Sequence, residues 1–97
     1  MMSDTYNADQ RRRWVVYDRI ERERKRQGEI GRDGSDAHWR AETWLAILVA
    51  EFAELADDIK TGKFSIGDEM CSDELVQVAA VAVAWLEQGV PYETPPD

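Results

Sequence analysis

The sequence predicts an all-α fold, a short helical bundle completed by dimerisation. Three observations carry this. Leu45, Leu48, Phe52, Leu55 and Ile59 step by three, four, three and four residues, the period of one helix face. The stretch from Leu75 to Leu86 is apolar nearly all round, broken by Gln77, and its Ala79, Ala80, Ala82 and Ala84 favour helix over strand. Glycines at 28, 31, 34, 62 and 89 divide the chain into three periodic segments. At 97 residues the chain supports one domain. We assign residues 1–97 to it, with a core over about 8–89 and a tail from 90 that frays.

The first helix is expected to start at a cap supplied by Asp4 or Asn7 and to run to about Gln27. Trp14, Val16, Tyr17 and Ile20 form its narrow apolar stripe. Gly28, Gly31 and Gly34, with Asp33 and Ser35, make the following loop, and Ser35 or Asp36 caps the second helix. That helix ends at Thr61-Gly62-Lys63. The third is expected from about Glu74 to Gln88, capped by Ser72 or Asp73 and closed by Gly89 and Pro91. Three helices of this length can hardly cover the third, so pooling with a second copy is the expected solution.

Composition narrows the function classes. The longest apolar run is too short to span a bilayer, and the polar, then Arg-rich, N-terminus does not resemble a signal peptide. One cysteine cannot form an internal disulfide, which fits a reducing cytoplasm. The net charge is −8, of which residues 1–27 contribute +3 and residues 28–97 contribute −11. The basic segment is interleaved with Asp18, Glu21 and Glu23, and the acidic body repels a phosphate backbone, so a nucleic-acid binder ranks last. With one His and one Cys, no nucleophilic triad is expected; His38 and Cys71 are read as structural or incidental.

Beside the oily stripe of the second helix runs a line of Ile47, Glu51, Glu54 and Asp58. Residues three apart share a helix face, so Glu51 and Glu54 present two carboxylates together, and Glu74 joins them if the third helix packs alongside. Carboxylate oxygens suit Mg²⁺, which leaves its other positions to water and substrate phosphates. Gln77, the polar interior residue of the third helix, either pairs across an interface or offers its amide oxygen to the ion.

The segments Ile47-Leu48-Val49-Ala50-Glu51-Phe52-Ala53-Glu54-Leu55-Ala56 and Asp73-Glu74-Leu75-Val76-Gln77-Val78-Ala79-Ala80-Val81-Ala82-Val83-Ala84-Trp85-Leu86-Glu87 resemble the MazG-like all-α nucleoside triphosphate pyrophosphohydrolases, notably the small single-domain members often carried by phages. The preceding Glu21-Arg22-Glu23-Arg24-Lys25-Arg26-Gln27 resembles their lead-in, and His38-Trp39 and Trp44 stand where those proteins often have aromatics. The likeness spans roughly residues 20–88. It implies a homodimer or tetramer in the cytoplasm (the host's, if phage-encoded) that hydrolyses a (deoxy)nucleoside triphosphate to the monophosphate and pyrophosphate with Mg²⁺ or Mn²⁺. Carried over, Glu51, Glu54 and Glu74 match metal-binding glutamates. Gln77 stands where the family usually has Asp, and Ala50 where an extra Glu is frequent.

The expected metal set is therefore Glu51, Glu54, Glu74 and Gln77, with Asp58 as a compensating carboxylate. Glu51 and Glu54 are the expected catalytic pair. Arg22, Arg26, Lys60 and Lys63 are the candidate phosphate ligands, and Trp39 is a candidate base-stacking residue, although tryptophan's burial tendency favours a core role. The competing expectation is a catalytically weakened helical dimer that binds a nucleotide or a protein partner.

Overall fold

The computed structural model describes residues 4–29, 39–64 and 66–90, the side chains of residues 4–6 excepted. Over these residues the chain is all-helical: α1 (Asp4–Glu29), α2 (Ala41–Thr61) and α3 (Ser72–Gln88), with no strand among the described residues. No described helix is long and apolar enough to cross a membrane. The expected loop residues Gly31, Asp33, Gly34, Ser35 and Asp36, together with His38 and the tail from Pro91, lie outside the described residues.

α3 is the middle element; α1 and α2 each pack on it. Small side chains make this possible, because Ala80 and Ala84 are buried beside Val78 and Val81 and let neighbouring helices approach. The core centres on Trp44, Val81 and Ala84, with Trp39, Ile47, Leu48 and Trp85 packed around them. Trp44 is fully buried. Its ring meets Trp39 edge-on at 4.8 Å and lies parallel to Trp85 at 6.4 Å.

Gln88 supplies the polar contacts that such a core requires. Its Oε1 accepts the indole N–H of Trp44 at 3.0 Å and the backbone N–H of Trp39 at 3.1 Å. Its Nε2 donates to the Trp39 carbonyl at 2.6 Å. One side chain at the end of α3 thus fixes the start of α2.

Helix ends follow turn chemistry in part. Gly62 closes α2 in the left-handed conformation (φ 69°), donating its N–H to the Asp58 carbonyl, as the Thr61-Gly62-Lys63 pattern predicts. α1 runs through Gly28 to Glu29, past the expected end, and Asn7 lies inside it rather than capping it. α2 begins after Arg40, which caps with its backbone and not its side chain. α3 begins at Ser72, earlier than expected, so Ser72 and Asp73 are helical. The residue before them, Cys71, takes a left-handed conformation (φ 52°).

Two expectations about faces need correction. The stripe of α2 enters the core only in part: Leu55 is buried and Leu48 packs against the core cluster, whereas Leu45, Phe52 and Ile59 are half-exposed or more, and Trp44 and Glu51 are buried in their place. Trp44 decides the rotation of the helix, since its ring and indole N–H are both satisfied only against α3. In α1, Trp14, Val16 and Tyr17 are likewise exposed, because α3 meets the second half of α1 through Arg19, Arg24 and Gln27. α3 itself is covered on two sides, and Leu75 and Leu86 remain exposed.

Candidate functional site

Acidic side chains line the place where the loop after α2 turns into α3. Asp68 receives the backbone N–H of Ser72 at 2.8 Å, the Ser72 hydroxyl at 2.7 Å and the Asp73 N–H at 3.4 Å. It therefore caps α3 from four residues upstream. The Ser72 side-chain hydrogen bond, then its backbone hydrogen bond, hold Asp68 below the ordinary carboxylate range, with further help from Arg19. Arg19 crosses from α1, donating to Ser72 Oγ at 3.3 Å and to Asp73 at 2.9 Å.

Across the α2–α3 seam, the carboxyl groups of Asp58 and Glu74 lie side by side, close enough to perturb each other. The Glu74 carboxylate accepts its own backbone N–H, which lowers its pKa. Desolvation, the bond to Asp58 and the charges of Asp58 and Asp68 together outweigh that and raise it. Two carboxylates side by side are also a pair that a divalent cation can bridge. The Cys71 thiol is pushed up, first by desolvation and then by Glu74, Asp68 and Asp58.

A second group lies between α1 and α3. Arg19, Arg22, Glu23, Arg26, Asp73, Val76 and Gln77 line an open groove of about 440 Å³. Glu23 organises it: it accepts two hydrogen bonds from Arg26, at 2.9 and 2.6 Å, and one from Gln27 Nε2 at 3.1 Å. Gln27, only 3% exposed, also reaches the Gln77 carbonyl at 3.5 Å, and its Oε1 has no hydrogen-bond partner among the described residues. Arg22 pairs with Asp18 at 2.9 Å. The Arg26 guanidinium is raised, chiefly by its hydrogen bond to Glu23, against an opposing desolvation, and further by the charges of Glu23 and Glu51. Glu51, 5% exposed on the buried face of α2, is thereby within electrostatic reach of the groove.

The expected site residues thus fall into separate places. Arg22, Arg26 and Gln77 line one groove, and Asp58 pairs with Glu74. Glu51 stands on the same face of α2 as Asp58, seven residues or about 10 Å along the helix. Glu54, Lys60 and Lys63 are exposed. Trp39 packs against the core, held by Gln88. Among the described residues, no group of three or more His, Cys, Asp or Glu side chains is placed to hold a metal ion.

No family model, curated protein or solved structure matches the chain.

Glu23, Asp68, Arg19 and Gln27 are the site residues that sequence reasoning missed. Glu23 had a signal, since it lies three and four residues before Arg26 and Gln27 on one helix face. Asp68 had a weaker one, an acidic residue a few positions before a helix start, reaching its partners through a loop.

Proposed function

We propose that the chain is a Mg²⁺-dependent nucleoside triphosphate pyrophosphohydrolase of the MazG-like kind, acting on a (deoxy)nucleoside triphosphate. The observation that carries this reading is the groove at Arg26, lined by three arginines and Gln77 and within electrostatic reach of the buried carboxylate of Glu51, on the helix that also bears Glu54 and Asp58. Anion-binding and carboxylate-bearing surfaces so placed suit a phosphate chain attended by a divalent cation.

The donors fit such an ion in kind. Asp58 and Glu74 offer two carboxylates to one point, and Mg²⁺ commonly uses one or two, together with substrate phosphates. Glu51, Glu54 and Gln77 are the further oxygen donors of the proposal. When bound, the ion offsets charge on the phosphate oxygens. Arg22 and Arg26 bind the phosphate chain, the latter exchanging its bonds to Glu23 for bonds to substrate. Glu54, or Glu51 beside Arg26, orients a water on the α-phosphorus and receives its proton. The α–β anhydride bond breaks, and pyrophosphate and the monophosphate leave.

The second reading, a MazG-like binding module with weakened catalysis, is favoured by one observation. In a single copy the carboxylates come together as a pair and not as a larger group among the described residues. Pyrophosphate release from a panel of ribo- and deoxyribonucleoside triphosphates, with and without Mg²⁺ or Mn²⁺, separates the two. Metal-dependent turnover abolished by Glu54→Gln and by Glu74→Gln is the expected result. Nucleotide binding by a folded sample without turnover under any condition establishes the module instead.

A further inference from the structure

Arg19, Arg22 and Arg26, which line the groove between α1 and α3, are each held by a carboxylate of the same chain. Arg19 pairs with Asp73 and Arg22 with Asp18, each at 2.9 Å, and Arg26 takes both oxygens of Glu23 in a fork. The three carboxylates differ in how freely they can leave. Asp73 and Asp18 keep 66% and 56% of their side chains exposed, so those pairs are screened and exchange readily with ions from solution. Glu23 keeps 12%. Gln27, buried, donates Nε2 to the same carboxylate and reaches the Gln77 carbonyl of α3, which fixes Glu23 to the groove wall. Arg26, by contrast, is half-exposed. Of this pair the arginine is the partner that can swing, and the carboxylate is the one that stays.

The reading given above, that the groove takes a phosphate chain, is the one on which the next step rests. We propose that Glu23 is a tethered competitor for Arg26: it yields the guanidinium to an incoming nucleotide and takes it back from the pyrophosphate left after cleavage. Two features suit it to this. Glu23 and Arg26 are three residues apart on one helix, so the carboxylate competes at a constant, high effective concentration, whereas a free anion competes only at its own. Carboxylate and phosphate also use the same two-pronged edge of the guanidinium, so binding one excludes the other. An intact nucleotide brings contacts along its whole length to offset the loss of that fork. Pyrophosphate keeps only its phosphate contacts once the monophosphate has parted from it, and the balance tips back to Glu23. Glu23 is thus a positioning residue that acts through Arg26, and it sets how long product occupies the groove.

Calorimetric titration of the full chain with sodium pyrophosphate, in EDTA so that no divalent ion contributes, is expected to show weak binding by the parent. Glu23→Gln and Glu23→Ala, the second favoured by helix propensity, are expected to bind about tenfold more tightly with unchanged helical circular dichroism. Asp18→Asn, which releases Arg22 from an exposed pair, is expected to change affinity by less than about threefold. In an Arg26→Gln background the gain from Glu23→Gln is expected to vanish, since a residue that acts through Arg26 has nothing left to compete for. Equal or weaker affinity in both Glu23 variants overturns the proposal. So does an undiminished gain in the Arg26→Gln background, or pyrophosphate bound by no variant. Metal-dependent turnover without the tenfold gain removes the competitor and leaves the nucleotide reading standing; the gain without turnover does the reverse.

Discussion

The two ends of the α2–α3 seam are built on opposite principles. At one end Trp39, Trp44 and Trp85 pack together, and Gln88 holds the Trp44 indole and the Trp39 backbone with three hydrogen bonds. At the other, Asp58, Glu74 and Asp68 crowd around the buried thiol of Cys71, and two of the four groups are pushed toward their neutral forms. The first end stabilises the helix pair. The second sets like charges side by side, and their repulsion opposes its closure. The difference teaches that one seam can hold an anchor and a reactive end together, provided the anchor is the stronger.

The comparison is broken most severely at Trp44. Trp44→Ala removes the largest fully buried side chain and is expected to cost about 3–5 kcal/mol, enough to abolish a cooperative thermal transition in a small domain. Gln88→Leu comes next. It strands the Trp44 indole N–H and the Trp39 backbone groups, for an expected loss of about 1–3 kcal/mol in urea titration. A variant as stable as the parent would show that the clamp is dispensable.

At the acidic end the sign reverses. Glu74 is raised in the folded state, so its ionised form disfavours folding, and stability rises as pH falls through its folded value. Glu74→Gln is therefore expected to raise the midpoint of thermal unfolding slightly at pH 7, with the gap to the parent narrowing on acidification. A destabilised variant would remove the proposed conflict between charge and closure. The smallest effect is expected at Asp68. Its lowered carboxyl contributes stability that is present above the ordinary carboxylate range and is lost as pH falls through the folded value. Asp68→Asn is expected to lower the melting midpoint by a few degrees at neutral pH and to flatten the acid limb of the stability profile.

Much of the secondary structure was legible in the sequence. Gly62 and Gly89 marked where α2 and α3 stop, and alanine content marked α3 as helix. The buried face of α2 was not. Leu45, Leu48, Phe52, Leu55 and Ile59 carry the cleaner apolar period, but only Leu48 and Leu55 face inward, because Trp44 turns the helix through ring packing and a hydrogen bond to a residue 44 positions away. Periodicity says which residues share a face and not which face a distant partner will choose. The site shows the same limit. That Glu51 and Asp58 share a face follows from spacing, whereas the pairing of Asp58 with Glu74 depends on the register set by the intervening loop. Arg26 and Gln77 converge because α1 crosses α3, a geometry with no local sequence signature.

Cys71 turns one of these ends into a clock. The residue is 1% exposed just before α3, and the chain has no other cysteine. An alkylating reagent must wait for that corner to open, so its rate reports local excursions at the acidic end. In a Trp14→Phe background, the indole emission of Trp39, Trp44 and Trp85 reports the opposite corner. Followed together, the two signals time whether the helix pair parts like a zipper from one side or comes open as a unit.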